Sequence, residues 1–167
     1  MAGMTAGAAG RDAPRSGGVD RVLGVLDEAA GWLSARDVQQ WPLRFPARLV
    51  RPGVEAGHTW LGYLDGVAAA TITLTWADPL WPPDDGLAGY VHRLAVRRTA
   101  AGLGARLLEW AAGAIRDEGR SVLRLDCVAT NARLRAYYES AGFRHRGDVR
   151  EAGGPRALLS RYEKTLR

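Results

Sequence analysis

A turn containing two glycines joins an apolar run to an amphipathic run near the middle of the chain, and it constrains the fold more than any other feature. Leu87–Val96 has the composition of a strand, and Gly102–Glu118 has the apolar spacing of a helix. Gly102 and Gly104 leave backbone amides unobstructed at the start of that helix. Because orphan amides and the helix dipole attract anions, the turn predicts a site for a phosphorylated ligand.

Three known kinds of phosphate-binding loop share features with this turn. A Walker loop requires a lysine and a hydroxyl residue after its last glycine, but Ala105 and Arg106 stand there. A dinucleotide fingerprint requires a third glycine, and Leu107 occupies that place, although Asp126 supplies the expected downstream acid. The pyrophosphate loop of acyl-CoA-dependent N-acyltransferases fits the glycines and departs only at its first position, Thr99.

A second informative stretch runs from the end of a predicted strand, Ser121–Val128, into a predicted helix, Asn131–Ser140. Thr130 or Asn131 is a suitable N-cap, and Gly142 is a suitable residue after the helix C-terminus. Asn131 and Tyr138 are seven positions apart, so they share a helix face about 10 Å apart along the axis. This spacing suits two polar contacts along one extended ligand.

Taken together, the two stretches resemble the GNAT superfamily of N-acetyltransferases from Tyr90 to about Arg146. The downstream residues that match its Asn–apolar–Tyr–Gly–Phe pattern are Asn131, Leu134, Tyr138, Gly142 and Phe143. The resemblance implies an α/β (α+β) fold with a mixed, mostly antiparallel sheet of about six to seven strands and helices on both faces. It also implies acetyl transfer from acetyl-CoA, or another short acyl-CoA, to a primary amine by direct transfer in a ternary complex.

The same resemblance assigns roles to individual residues. Tyr138 is expected to be the general acid beside the thioester sulfur, and Asn131 is expected to contact pantetheine. The backbone of Leu94, Ala95 and Val96 is expected to bind pantetheine and polarise the thioester carbonyl on a strand that splays from its neighbour. The loop expected to bind pyrophosphate comprises Arg98, Thr99, Ala100, Ala101, Gly102, Leu103, Gly104 and Ala105.

Several residues are candidates for the general base. His92 has a side chain suited to accept a proton at neutral pH. The stretch His92–Val96 is similar to the corresponding strand of arylalkylamine acetyltransferases, which carry a histidine at this position. A hydrogen-bonded structural role for His92 fits the sequence equally well. Tyr90 stands where those enzymes carry a second histidine, so we expect no two-histidine relay. The acidic alternatives are Asp126, Asp84 and Asp85.

Acceptor-binding residues are the part of the site that the sequence defines least. We expect Trp41 and Tyr90 to contact the acceptor, and a core position for Tyr137, Trp32 and Trp60. Other possible contributors are Gln39, Gln40, Trp76 and Trp81.

Composition is consistent with a single domain over residues 19–167, preceded by a flexible leader over residues 1–18. The one cysteine, Cys127, excludes an internal disulfide and is expected to be a buried strand residue. The net charge of +5 comes mainly from scattered arginines, so nucleic acid is not the expected partner. No stretch has the length and apolarity of a membrane span.

From these features we expect a cytoplasmic protein that acts on a small-molecule amine and that can form a homodimer. His58, His92 and His145 are isolated in the sequence, so no metal site is predicted. Two other functions remain open: a CoA-binding regulatory module without turnover, and an acyltransferase for aminoacyl-tRNA or a protein N-terminus. An NAD-binding Rossmann-like protein is a third, weaker alternative.

The remaining elements follow from periodicity and turn residues. Asp20 is expected to cap a helix that ends near Ala35, and no strand is evident before it. Asp65-Gly66 predicts a hairpin turn. The other expected elements are a short helix Pro46–Glu55, hairpin strands His58–Leu64 and Val67–Trp76, a loop Ala77–Gly86, and strands Arg144–Val149 and Ala157–Thr165 joined by Gly153-Gly154-Pro155.

Overall fold

The computed structural model describes residues 18–38, 40–83, 85–151 and 157–167. In these ranges the helices are α1 (Gly18–Ser34), α2 (Ala47–Glu55), α3 (Leu103–Asp117) and α4 (Ala132–Ser140). The strands are β1 (Thr59–Leu64), β2 (Val67–Thr75), β3 (Ala88–Val96), β4 (Val122–Val128), β5 (Arg144–Arg150) and β6 (Leu158–Thr165). Gln39, Asp84, the Gly153-Gly154-Pro155 turn and the predicted leader, apart from Gly18, lie outside the described residues.

The six strands form one sheet in the order β1-β2-β3-β4-β6-β5. Only the β3–β4 pair is parallel, so the sheet is mixed and mostly antiparallel, as the sequence predicted. Helices cover both faces: α1 and α2 pack against Leu61 and Ala95, whereas α3 packs against Ile72 and Leu123. No helix in the described ranges is long and apolar enough to cross a membrane.

The β1–β2 hairpin turns at the dipeptide that the sequence singled out. Asp65 and Gly66 both have positive φ angles, +50° and +78°, which is the backbone of a type I′ turn. Aspartate and glycine tolerate that conformation better than most residues, and its twist matches that of the flanking strands. This local chemistry explains why the hairpin was predictable.

The start of α1 corrects one expectation. The helix already includes Gly18 and Val19, both buried, so Asp20 lies in the first turn and is not the cap. An acidic side chain there still favours the helix because it faces the positive end of the dipole. The apolar face of α1 is made by Val22, Val25, Leu26 and Ala30.

Strand β3 carries two irregularities that position the functional site. Its parallel ladder with β4 covers only Ala88–Tyr90, although β3 continues to Val96 and β4 to Val128. The two strands therefore splay apart beyond that ladder, as expected from the family resemblance. A bulge follows: the register with β2 shifts between His92 and Ala95, and Arg93 has a φ of +48°. Because a bulge inserts an extra residue, Leu94 and Val96 turn toward the α3 face of the sheet, and Ala95 turns toward α1.

Candidate active site

A cavity of about 540 Å³ opens where β3 has separated from β4. It lies between the C-terminal half of α1, the end of β3, the N-terminus of α3 and one face of α4. Its lining residues are Glu28, Ala29, Trp32, Leu33, Gln40, Trp41, Leu94, Ala95, Val96, Arg97, Arg98, Ala101, Gly102, Gly104, Ala105, Asn131, Arg133, Leu134, Tyr137 and Tyr138. Eleven of the residues predicted for the site therefore line one continuous space: Trp41, Leu94, Ala95, Val96, Arg98, Ala101, Gly102, Gly104, Ala105, Asn131 and Tyr138.

The glycine turn begins α3 in the way that an anion site requires. Gly102 is the N-cap of α3 with a φ of +89°, and no side chain caps the helix. The first amides of α3 consequently face the cavity without an intrahelical acceptor. A Cβ at Gly104 would stand 3.4 Å from Cγ2 of Val96 and would cover the backbone there. This arrangement is suited to hold a phosphate.

Three residues of the predicted phosphate loop do not line the cavity. Ala100 and Leu103 are buried and pack into the core beneath the loop, and Thr99 is exposed. Residues Arg98–Ala100 form a short 3-10 helix that the sequence did not predict. Because this turn alternates inward and outward residues, only part of a contiguous motif can reach a ligand.

Cationic side chains gather around this end of the cavity. The guanidinium groups of Arg36, Arg98 and Arg133 lie 4.0, 4.7 and 5.9 Å from the ring centroid of Trp32. Trp32 therefore lines the cavity beside three cations, and the prediction that it is a core residue is wrong. Arg97 forms an ion pair with Glu28 of α1. The charge that a polyphosphate would need is present at this end.

The side chain of Asn131 makes two hydrogen bonds at the start of α4. Its Oδ1 accepts a 3.1 Å hydrogen bond from the Leu134 amide, so Asn131 is the N-cap that the sequence proposed. Its Nδ2 donates a 2.9 Å hydrogen bond to Oε1 of Gln40, in the segment between α1 and α2. The buried amide thus joins α4 to the opposite wall of the cavity.

Tyr138 lies two helical turns after Asn131 on the same face of α4, and only 5% of its surface is exposed. Its ring packs against Tyr137, Phe143 and Tyr162 at centroid distances of 5.6, 5.5 and 5.9 Å. Burial raises the pKa of its hydroxyl, so Tyr138 stays protonated at neutral pH. Among the described residues the hydroxyl has no hydrogen-bond partner, which leaves its proton available to a ligand. Tyr137 is 40% exposed and lines the cavity, so its predicted core position is wrong.

His92 does not line the cavity, but it is not isolated either. Its Nε2 lies 3.0 Å from Oγ1 of Thr75 and 3.8 Å from Oδ2 of Asp78. Burial lowers the pKa of the imidazole, an effect that the Asp78 charge opposes and the Arg93 charge reinforces. The ring is consequently neutral at neutral pH and able to accept a proton.

Asp126 completes this second group of polar side chains. Asp78, His92 and Asp126 place one polar atom each within 4.8 Å of the others. Burial, followed by repulsion from Asp78 and Glu151, raises the pKa of Asp126 to about 7. Sequence spacing could not reveal the group because its members come from three separate segments. The absence of a resident metal stays a prediction.

The alternative base Asp85 differs from Asp126 in position. Asp85 is exposed and forms an ion pair with Arg124 at 3.5 Å, and Asp84 lies outside the described residues. Cys127 is buried, and burial raises the pKa of its thiol to about 12, in agreement with an unreactive core cysteine.

The predicted acceptor contacts divide into two groups. Trp41 lines the cavity and packs edge-on against Phe45 at 5.7 Å. Tyr90 is only 1% exposed, packs against Trp81, and does not reach the cavity. Its predicted acceptor contact is therefore not brought to this site, because the splayed strands open beyond it. Two further tryptophans do not line the cavity: Trp60 packs on Trp110, as expected for a core residue, and Trp76 lies under Arg120.

Sequence reasoning missed the contribution of α1. Gln40, which the sequence indicated as a possible acceptor contact, lines the cavity from the segment after α1. Glu28, Ala29 and Leu33 line it from α1 itself. They carry no motif, because their role depends on where α1 crosses the end of β3.

Comparison with known proteins gives a consistent result. The model of the Acetyltransferase (GNAT) family matches residues 26–143 of this chain. The chain is 34% identical over 140 residues to YesJ, an uncharacterised N-acetyltransferase of Bacillus subtilis, and this alignment covers 77% of each protein.

Solved structures agree with the fold. A GNAT-family acetyltransferase from Streptococcus agalactiae superposes with a TM-score of 0.72 at 17% identity, over 92% of each chain. The acetyltransferase yncA from Salmonella typhimurium, solved with acetyl-CoA, gives a TM-score of 0.62 at 17% identity over 89% of this chain and 90% of its own. At this level of identity the likeness shows the shared fold.

Proposed function

The chain belongs to the GNAT acetyltransferase family, and we propose that it moves an acetyl group, or another short acyl group, from acyl-CoA to a primary amine by direct transfer in a ternary complex. One observation carries this proposal: the bare N-terminus of α3, the splayed end of β3 and the hydroxyl-bearing face of α4 all line one cavity. A small-molecule amine is the acceptor that we propose, and the reaction requires no resident metal.

The residues present fit a CoA thioester. The α3 amides from Gly102 onward, with Arg98 and Arg133, would hold the phosphates. The backbone of Leu94–Val96 would receive the pantetheine, because this edge of β3 is no longer paired with β4. When bound, acetyl-CoA supplies an activated acetyl group whose C–S bond breaks as the C–N bond to the amine forms.

Tyr138 is proposed to protonate the departing thiolate. Its raised pKa keeps the proton on the hydroxyl until a strongly basic group comes near, and no protein group in the described ranges competes for it. Amides on the unpaired edge of β3 are proposed to stabilise negative charge on the thioester oxygen, as donors fixed in advance of the reaction.

His92 is proposed to remove the proton from the amine, directly or through water. The imidazole is neutral at neutral pH, and the position of Nε2 is set by its contact with Thr75. His92 lies two residues before Leu94, the first β3 residue that lines the cavity.

Thermal unfolding in the presence of acetyl-CoA, CoA, NAD and ATP tests the cofactor. A ligand present at 100 times its Kd stabilises the folded state by about 2.7 kcal/mol, which gives a measurable rise in Tm. We expect acetyl-CoA and CoA to raise the Tm, and NAD and ATP to leave it unchanged. A rise with NAD alone would contradict the proposal.

Release of CoA thiol in the presence of a panel of primary amines tests turnover. Amine-dependent release is expected for an acetyltransferase. Binding of acetyl-CoA without release, for any amine in a broad panel, would instead support a CoA-binding regulatory module.

A further inference from the structure

Three arginine side chains surround one indole ring at the phosphate-loop end of the cavity. Trp32 lies in the last turn of α1, Arg36 in the turn that follows, Arg98 at the start of the loop before α3, and Arg133 in the first turn of α4. The guanidinium groups of Arg36 and Arg98 are close enough to the ring for cation–π contact. The indole thus holds together cations from three separate segments of the chain.

The positive charge of this arginine cluster is not balanced by nearby carboxylates. In the part of the chain that the structure describes, none of Arg36, Arg98 and Arg133 forms an ion pair. The carboxylate of Glu28 lies beside the Arg98 amide, but its salt-bridge partner is Arg97. Because like charges held close together repel one another, three unpaired cations favour an anionic ligand.

The indole N–H of Trp32 is a buried donor without an acceptor. Its Nε1 is shielded from solvent, and no group among the described residues accepts a hydrogen bond from it. A buried polar group that stays unpaired costs free energy. Trp32 also packs into none of the apolar core clusters formed by the described residues, although it lines the cavity. Both properties indicate that the ring serves a ligand site more than the packing of the core.

The arginine cluster is separate from the free amides at the start of α3 but close to them. Arg98 lies four residues before Gly102, so their Cα atoms are at most about 14 Å apart. The two groups of donors suit different anions. Amides at a helix N-terminus bind a phosphate through neutral donors. Guanidinium forks suit the terminal oxygens of a phosphate monoester, which carries about two negative charges at neutral pH.

Coenzyme A carries two such anionic groups on one ribose: the 5′-diphosphate that leads to pantetheine, and a 3′-phosphate monoester. We propose that Arg36, Arg98 and Arg133, positioned by Trp32, bind the 3′-phosphate and make the protein select CoA over 3′-dephospho-CoA. This inference rests on the proposed function and adds to it the residues that choose the cofactor. The diphosphate then takes the amides of α3, and the thioester extends along β3 toward Tyr138.

CoA and 3′-dephospho-CoA differ only in the phosphate concerned, so the pair gives a direct test. Titration calorimetry with each ligand measures two Kd values, whose ratio reports the contribution of the 3′-phosphate. We expect the wild-type protein to bind CoA about tenfold more tightly or better, the usual effect of a hydrogen bond between charged groups. The readout is binding, and it requires no acceptor amine.

A double variant locates the effect. Arg36→Gln with Arg133→Gln should lower the Kd ratio to about twofold or less and leave the Kd for 3′-dephospho-CoA nearly unchanged. Arg51→Gln with Arg144→Gln is the matched control, because it removes the same charge from exposed positions on α2 and β5. The control should keep the wild-type ratio. Arg98 is left intact because its backbone belongs to the phosphate loop.

Variants of Trp32 test its positioning role. Trp32→Leu removes the ring that orients the guanidinium groups, so it should lower the Kd ratio. Trp32→Phe keeps an aromatic face and should retain most of that ratio. A purely structural role would instead change the Tm and the affinities for both ligands together.

Three results would overturn the inference. The first is equal binding of CoA and 3′-dephospho-CoA by the wild-type protein. The second is an equal loss of affinity for both ligands in the Arg36 and Arg133 double variant, which would assign these arginines to the diphosphate. The third is the same loss of selectivity in the control variant, which would reduce the effect to net charge. Binding of neither ligand by the wild-type protein would refute the proposed function itself.

Discussion

Glu28 on α1 and Arg97 at the start of the phosphate loop form an ion pair at the mouth of the cavity. The same carboxylate accepts a 3.4 Å hydrogen bond from the Arg98 amide. Under the proposed function, this acidic side chain occupies two donors that an incoming phosphate would use. The contact links α1 to the loop, and the proposed function therefore predicts that Glu28 and the cofactor compete.

Glu28→Gln should therefore tighten CoA binding. An exposed ion pair is worth up to about 1 kcal/mol, which corresponds to a gain in affinity of up to about fivefold. Titration calorimetry with CoA measures it. Glu109→Gln, on the exposed face of α3, is the matched control and should change nothing. Weaker binding in Glu28→Gln would show instead that Glu28 holds Arg97 in its binding position.

Gly102→Ala should destabilise the protein and weaken CoA binding. Its φ of +89° costs a residue with a Cβ about 1–2 kcal/mol, although the added atom would meet nothing within 4 Å. Gly113→Ala, inside α3 and equally free of contacts, should instead stabilise the helix by about 1 kcal/mol. Chemical denaturation measures the free energy of unfolding of the two variants, and titration with CoA measures their affinity for it. An unchanged CoA affinity in Gly102→Ala would argue against this loop as the phosphate site.

Asn131→Ala should lower stability and open the cavity, because it removes both the N-cap of α4 and the contact with Gln40. Loss of an N-cap typically costs about 1 kcal/mol. Gln40→Ala removes only the second interaction and should leave the free energy of unfolding nearly unchanged. Equal destabilisation by both variants would mean that the cross-cavity contact, and not the cap, carries the effect.

Tyr138→Phe should lower kcat by roughly 10²–10⁴-fold, the usual contribution of a general acid, with little change in CoA affinity. Its Tm should stay close to wild type because the hydroxyl has no protein partner in the described ranges. Tyr137→Phe is the matched control, since Tyr137 lines the same cavity. Normal turnover in Tyr138→Phe would remove it as the acid.

Asp126→Asn should stabilise the protein, and more at pH 8 than at pH 5. The pKa of Asp126 is about 7 in the folded protein, against 3.8 for the free side chain. The folded state thus retains a proton that the unfolded chain has lost, so the free energy of unfolding falls as the pH rises from about 4 to 7. The asparagine side chain of Asp126→Asn cannot ionise, so this loss of stability with rising pH is absent in the variant.

Thermal unfolding of the two proteins across that pH range measures the difference, with Asp117→Asn as the control. A stability difference that does not grow with pH would contradict the raised pKa. Stabilisation by removing a carboxylate would also indicate that Asp126 is kept at a cost to the fold, as expected for a functional group.

Several features were predictable because a few neighbouring residues determine them. Asp65 and Gly66 specify the hairpin turn, and Asn131 caps α4 through an amide only three residues away. Gly102 begins α3 with a backbone conformation that other residues disfavour. The family resemblance rested on the last two of these local features, and for that reason it was visible in the sequence.

Other features depend on how strands meet. The bulge at Arg93 turns Leu94 toward the α3 face of the sheet. Tyr90 is the last β3 residue paired with β4, so it stays buried in the core while the strands separate beyond it. Neither event has a local signal, because it is the partner strand that fixes the register. Tyr90 does not line the cavity for this reason, and its contact with the acceptor stays a prediction.

The sequence alone thus determined the order of the elements, the glycine turn that begins α3 and the polar face of α4, because each is set by interactions within one or two turns of chain. Only the tertiary structure brought Asp78 and Asp126 to His92, and Glu28 to Arg97. These neighbours are separated by between 14 and 69 residues. Their contacts exist because the sheet register and the packing of α1 place distant segments side by side, and electrostatic interactions act through space rather than along the chain.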